Sequence, residues 1–260
     1  MSRHVIVTGA AGGLGRAITS AFSSLGDRVT AVDARADALE PLAGDPLVRV
    51  VVADLAAPTV GAVVDEAWAT GGPVDVLVNA AGIWPAAPLL DLDAAGWDHV
   101  LAVNTRAPLL LTVALGRQAR SAGRGASVVN VSSGAAIRAR PGATAYSSSK
   151  AALEAVTRGC AVELAAAGVR VNAVAPGFIA GSSQDVNPIT PEYRAAASRN
   201  PMGGAGEPVD VAAAVVFLAG PASAFTTGAV LRVDGGSSAG TADLPVHWSG
   251  ASDLQQPAAG

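Results

Sequence analysis

In Ala143–Lys150, ATAYSSSK, a tyrosine stands four residues before the only lysine of the 260-residue chain. On a helix that spacing puts both side chains on one face. A free phenol has a pKa near 10, so only ~0.1% of it is phenolate at neutral pH. An ammonium held nearby favours the anion. Lowering the phenol by three units takes about 4 kcal/mol, which one desolvated lysine helped by a second positive charge would supply. An isolated pair of this kind reads better as two exposed helix side chains, and three other features reverse that reading. Ser133, at the end of VVNVSS, lies thirteen residues before Tyr146. Its hydroxyl and the phenol can meet at one sheet edge. Asn104, in VNTR, is an amide inside a long helical pattern with no evident surface role, which predicts an inward hydrogen bond. Pro176-Gly177 gives a rigid turn where a sixth strand ends.

A second constellation lies near the amino terminus. The first strand runs into Thr8-Gly-Ala-Ala-Gly-Gly-Leu-Gly15, a TGxxxGxG turn that opens a helix near Leu14. Glycines at 9, 12, 13 and 15 let the backbone turn tightly and approach a pyrophosphate, whose charge then sits at the helix amino terminus. Asp33, 24 residues beyond Gly9, ends the second strand, where a carboxylate can accept from an adenosine ribose. Beside a 2′-phosphate, that carboxylate would face a like charge ~4 Å away, a repulsion of roughly 4 kcal/mol at an effective dielectric of 20. NAD is therefore expected over NADP. Arg16 and Arg35 count against this, since either could neutralise a phosphate. Asp54, next to Leu55, either caps the following segment or meets the adenine edge. Asn79-Ala80-Ala81-Gly82 closes the fourth strand with residues small enough for a cofactor to pass close by.

These residues need elements to carry them. Strand-length apolar runs fall at His4–Thr8, Arg28–Asp33, Leu47–Ala53, Val74–Asn79, Ala126–Val131, Val169–Ala175 and Ala229–Val233. They are continuous in polarity, as parallel strands covered on both faces should be. Helical patterns near 14–25, 58–70, 95–121, 145–167 and 208–219 separate them. The expected fold is α/β: one doubly wound parallel sheet of about seven strands in a single domain over 1–240. The stretch 178–208, with a short helical piece at Glu192–Arg199, follows a strand's carboxyl end and reads as a substrate lid. Residues 241–260 lose all periodicity and read as a tail.

Composition narrows the partners. The chain is 50% hydrophobic, only 4% aromatic, and carries a net charge of -4. Such a chain has no basic surface for nucleic acid or an anionic membrane. No uninterrupted apolar run reaches the ~20 residues of a membrane span. A soluble cytoplasmic protein is expected. One cysteine, Cys160, excludes an internal disulfide, and His4, His99 and His247 have no metal-ligand spacing.

TGAAGGLG, NAAG, Asn104, Ser133 with Tyr146 and Lys150, PG at 176–177 and the ending Thr227–Gly236 occur in an order that resembles the short-chain dehydrogenase/reductase family over residues 3–238. The resemblance implies a Rossmann-like subunit, usually tetrameric, that moves hydride between a nicotinamide and an alcohol or ketone. It implies that Tyr146 is the general acid/base and that Ser133 orients the substrate oxygen. Lys150 would hold the nicotinamide ribose and lower the tyrosine pKa, and Asn104 would hold a relay water. The cofactor would meet Gly9–Gly15, Asp33, Asp54, Leu55, the 79–82 segment, Pro176, Gly177 and Ile179. Where the family often has a threonine on the nicotinamide carboxamide this chain has Gly181, followed by Ser182 and Ser183; at position 80 alanine replaces an amide.

The expected reaction is NAD-dependent oxidation of a secondary alcohol or reduction of the ketone. An NADPH-dependent 3-oxoacyl or polyketide-type ketoreductase and a non-catalytic dinucleotide-binding module are the alternatives. Trp84, Ile83, Ile137, Phe178 and Ile179 either line an apolar substrate pocket or pack as ordinary loop residues. Small apolar residues on several faces of the helices near 95–121 and 145–167 point to a homotetramer or dimer.

Overall fold

In the computed structural model, residues 2–181 and 189–241 are described. The seven strands are β1 (His4–Thr8), β2 (Arg28–Asp33), β3 (Val48–Val52), β4 (Val76–Asn79), β5 (Ala126–Val131), β6 (Val169–Pro176) and β7 (Val230–Val233). They form one sheet in the order β3-β2-β1-β4-β5-β6-β7. Every neighbouring pair is parallel. The chain reverses its direction of travel across the sheet between β1 and β4, and at such a switch point the carboxyl ends of the strands open a crevice.

Why the strands read as continuous apolar runs is visible in their parity. Val5, Val7, Val76, Val78 and Val129 face one side, against Ile18 and Phe22 of α1 (Gly13–Ser24) and, from α8 (Pro208–Ala219), Val211, Val215 and Leu218. The intervening Ile6, Leu77 and Val128 face the other, with Val64 of α3 (Ala62–Gly71) and Leu111 and Leu115 of α5 (Ala107–Ala122). Both faces are thus covered. Two cores on one sheet leave the strand ends as the place for chemistry.

Three departures from the sequence reading have local causes. A four-residue helix, α2 (Ala36–Leu39), follows β2, too short for periodicity to reveal. The helix expected at 58–70 starts only at Ala62, because Asp54, Ala57 and Thr59 form successive turns before it. The helix expected at 95–121 is α4 (Ala94–Leu101), a five-residue π-helical turn Ala102–Arg106, and then α5. The 94–122 stretch is by length and composition apolar enough to cross a bilayer, at mean hydropathy 1.2, beyond what the uninterrupted runs suggested. Yet 61% of that window is buried within the protein, as a core helix requires.

The 178–208 segment, expected to be a lid, is tied at its two ends. Ile179 and Gly206 form a parallel bridge, with Ala180 N–H donating to Gly206 O and Gly206 N–H to Phe178 O. Between them lies α7 (Pro191–Ala197), whose amino end is capped by the Thr190 hydroxyl, as the short helical pattern predicts. Positions 182–188, including Ser182 and Ser183, and the tail from 242 onward lie outside the described residues.

At the opposite end of the sheet His4 is buried, with Nδ1 3.0 Å from Gly72 O and Nε2 2.9 Å from Thr30 Oγ1. A carbonyl only accepts, so Nδ1 carries the proton and Nε2 accepts from Thr30. Burial is the main cause that pushes the His4 pKa below its ordinary value. The neutral ring's contribution to stability is complete above the unfolded value of about 6.5 and is lost as pH falls through the lower folded value. Melting temperature is expected to drop between pH 7.5 and pH 5, and His4→Gln to flatten part of that slope. An unchanged slope in the variant would place the acid sensitivity elsewhere.

Candidate active site

The carboxyl ends of β1, β4 and β5 bring both constellations together. Gly9 takes φ +65°, and a Cβ on it would lie 2.6 Å from the Ala81 Cα, so the turn after β1 and the segment after β4 touch backbone to backbone. A Cβ on Gly15 would sit 2.0 Å from Gly9 O. Glycine is therefore required at both places by close approach, and at Gly9 by conformation as well. Gly12 is the N-cap of α1, and no side chain caps that helix. Gly12 itself donates to Gly9 O, and Leu14 packs on the first core. This leaves the first turn at Gly13–Gly15 to main-chain donors, a cradle that fits a pyrophosphate.

Asp33 does more than its place at the end of β2 suggested. Its Oδ2 accepts from Ala11 N–H at 3.0 Å, inside the glycine turn. Its Oδ1 accepts from Arg35 N–H at 3.1 Å and lies 3.4 Å from Arg35 Nε. Arg16 grips the same residue through its carbonyl, donating to Ala11 O and also to Ala38 O. The carboxylate and Arg16 thus brace the turn, and Arg16 is already engaged by backbone carbonyls.

Several residues expected around the cofactor hold their side chains elsewhere. Asp54 is exposed and caps a turn through Ala56 N–H, the simpler of its two readings. Leu55 is buried in the second core. The Asn79 amide donates to Asn130, which donates to Thr157, tying β4 to β5 and to α6 (Thr144–Leu164). Asn79 Oδ1 remains a buried acceptor without a partner among the described residues. Ala81 N–H donates to the Thr8 hydroxyl, and Ala80 packs on the first core. Pro176 ends β6. A Cβ on Gly177 would come 2.8 Å from the Asp234 Cα. Ile179 is buried in the first core.

On the reactive side, α6 carries Tyr146 and Lys150 on one face, as their spacing predicts. Lys150 is buried, and its Nζ donates to Val131 O at 2.8 Å, at the end of β5. Burial alone lowers its pKa to about 8. The ammonium lies 5.8 Å from the centre of the Tyr146 ring. A Cβ on Gly82 would fall 3.3 Å from Lys150 Nζ and 3.4 Å from Asn104 Oδ1, so glycine keeps the way to the lysine open.

Two residues downstream of Val131, Ser133 accepts from Ala135 N–H and hydrogen-bonds the Tyr146 phenol. Burial raises the phenol pKa above its ordinary value, and the Ser133 bond and then the charge of Arg140 act in the opposite direction. This corrects the expectation that Lys150 depresses the tyrosine here: its ammonium is spent on the Val131 carbonyl, and desolvation dominates.

Asn104 makes the inward bonds that its helical position predicted. It accepts from Ile83 N–H and donates to Ile83 O, each at 2.8 Å, and donates to the Ser149 hydroxyl at 3.0 Å. The amide is a clamp on the 79–83 segment. It sits within the π-helical turn, a distortion that commonly accompanies functional sites.

Around this centre Trp84 packs edge-on to Tyr146, with ring centres 6.3 Å apart. Phe178 packs edge-on to Tyr193 of α7 at 6.4 Å, and Ile137 is exposed nearby in sequence to Ser133. The Arg140 guanidinium lies 5.5 Å from the Tyr193 ring centre. Neither Arg140 nor Tyr193 stood out in the sequence. The signal available was Arg138-Ala-Arg140-Pro141, two cations just ahead of the Tyr146 helix.

Residues 9–238 match the family model described as enoyl-(acyl carrier protein) reductase. A galactitol 2-dehydrogenase (L-tagatose-forming) from Cereibacter sphaeroides is 40% identical over 237 residues, spanning 88% of this chain and 92% of that protein. The chain belongs to the short-chain dehydrogenase/reductase family. Among solved members of the short-chain dehydrogenase/reductase family, a putative NAD(P)-dependent gluconate 5-dehydrogenase from Beutenbergia cavernae with bound NADP superposes with TM-score 0.84. It is 36% identical, over 92% of this chain and 97% of that one. A 4-hydroxyisoleucine dehydrogenase complexed with NADH superposes with TM-score 0.87 at 26% identity, over 92% of this chain and all of that one. Short-chain dehydrogenase/reductase relatives of this kind are NAD(P)-dependent oxidoreductases of CH–OH groups, and this chain shares their reaction class and a nicotinamide dinucleotide cofactor.

Proposed function

We propose that the protein is an NAD-dependent dehydrogenase of a small secondary alcohol, working equally as the ketone reductase. The observation that carries the reading is the meeting of Ser133, Tyr146 and Lys150 beside the glycine turn at one edge of the sheet. The nicotinamide, when bound, supplies or accepts the hydride. Tyr146 then moves the proton: its phenolate takes it from the alcohol, or its phenol gives it to the ketone oxygen. Ser133 holds the substrate oxygen, and Lys150 offers donors to the ribose hydroxyls. Asn104 fixes the Ile83 backbone that closes the cofactor side, and Trp84 and Phe178 exclude water.

Preference for NAD over NADP is supported by Asp33, whose nearly buried carboxylate sits where the adenosine ribose would lie. The rival is the NADPH-dependent ketoreductase, favoured by Arg35, whose side chain is 47% exposed and close enough to meet a phosphate. In an initial-rate assay at equal cofactor concentration, NADH should support turnover at least about tenfold faster, the weight of one unfavourable charge contact. A preference for NADPH would overturn the cofactor assignment. The same reading has the chain acting as a homotetramer or dimer in the cytoplasm, where Cys160 stays a free thiol. Exposed Val162 on α6 supports self-association, and light scattering at micromolar concentration tests it.

A further inference from the structure

Two aromatic pairs and a cation stand beside the reactive centre. Trp84 lies against Tyr146, while Phe178 and Tyr193 pair across the root of the lid. Arg140 stands beside them, exposed, with its guanidinium on the Tyr193 ring. Stacking on an aromatic fixes the plane of a guanidinium and leaves the N–H groups along its rim pointing outward.

No hydrogen bond or ion pair occupies Arg140 among the described residues. Three other arginines are engaged by contrast: Arg138 donates to Ser237 O, Arg16 to Ala11 O and Ala38 O, and Arg35 to Asp33. The nearest carboxylate along α7, Glu192, is turned back onto its own helix start and Thr190. An apolar pocket with one convergent charged group selects a ligand carrying the opposite charge.

We propose that Arg140, held by Tyr193, is a carboxylate-recognition residue, and that the substrate is a hydroxy acid or the corresponding oxo acid. The inference rests on the dehydrogenase reading above and names its substrate class. The substrate's carboxylate would take the outward N–H pair of Arg140 while its carbinol oxygen meets Ser133 and Tyr146. That Arg140 is close enough for its charge to act on the Tyr146 phenol places the two ends within one small molecule's reach.

The test compares hydroxy acids of four to eight carbons with their methyl esters, in wild-type protein, Arg140→Gln, Arg140→Lys and Tyr193→Ala, with NAD saturating. Wild type should favour the acid of a matched pair in kcat/KM by about 10- to 100-fold, the weight of one charged hydrogen bond. Arg140→Gln should erase that preference through KM, with a far larger loss on the acid than on the ester, and be partly rescued by Arg140→Lys. Tyr193→Ala should weaken the acid alone, to a smaller degree. Equal losses on acid and ester, or a wild-type enzyme that prefers the ester, would overturn the assignment while leaving the dehydrogenase reading intact. A wild-type protein inactive on every acid, ester and neutral ketone with either cofactor would instead overturn the dehydrogenase reading, and this inference with it.

Discussion

Tyr146→Phe should reduce turnover by about 100- to 10,000-fold, the range over which a positioned acid or base accelerates proton transfer, while NAD affinity stays nearly unchanged. Phenylalanine keeps the ring that Trp84 packs against and removes only the group that meets Ser133. Binding of the cofactor, followed by fluorescence, therefore separates chemistry from assembly. Activity that survives the substitution would remove Tyr146 from the mechanism. The pH profile gives the sign independently. Because burial holds the phenol above its ordinary range, ketone reduction, which needs the protonated form, should persist through neutral pH. Alcohol oxidation needs the phenolate, so its kcat/KM should climb toward alkaline pH, and that climb should vanish in Tyr146→Phe.

Lys150→Ala should damage both halves of the site at once. No other lysine exists in the chain to take over its charge. The expected result is a turnover loss comparable to that of Tyr146→Phe together with weaker NAD binding, by about 10-fold or more for the lost charged hydrogen bonds. A variant with unchanged NAD affinity would show that the ribose contact was misassigned. The Val131 carbonyl also loses its donor, at a cost of about 1–3 kcal/mol, so the melting temperature must be read beside the kinetics. Lys150→Met, which refills the buried volume without the charge, distinguishes a packing defect from the loss of the ammonium.

The fold was legible because its strands are buried on both faces and bounded by glycine or charged residues: β1, β2 and β5 begin and end where the apolar runs do. Parity within each run, Val5 and Val7 against Ile6, is what divides the two cores, and it leaves no polar trace in the sequence. Interruptions were harder. A π-helical turn at Ala102–Arg106 keeps every residue helical, so composition shows no break. The start of α3 slipped because the turns before it are apolar as well.

At the site, residues whose role is local to a motif were readable: the glycine turn, the Tyr146–Lys150 spacing and the inward turn of Asn104. Residues whose role depends on distant partners were not. The sequence offers Asp33 as a ribose partner, but its brace on Ala11 joins residues 22 positions apart and needs the β1–β2 register to exist. Arg140 meets Tyr193 only in the folded chain, where residues 53 positions apart come together. The direction of the Tyr146 shift could not follow from spacing, since it is decided by burial and by where the Lys150 ammonium is bonded.

The buried ammonium has a use outside catalysis. With its pKa near 8, about one Lys150 side chain in ten is a neutral, nucleophilic amine at pH 7. As the single side-chain amine of the protein, it can be told apart from the α-amino group by where the acyl label falls, which makes it a titrant of the proposed cofactor site. A mass label on Lys150 counts open sites, its suppression by a dinucleotide reports occupancy, and attachment to a surface through lysine would block the residue proposed to hold the ribose.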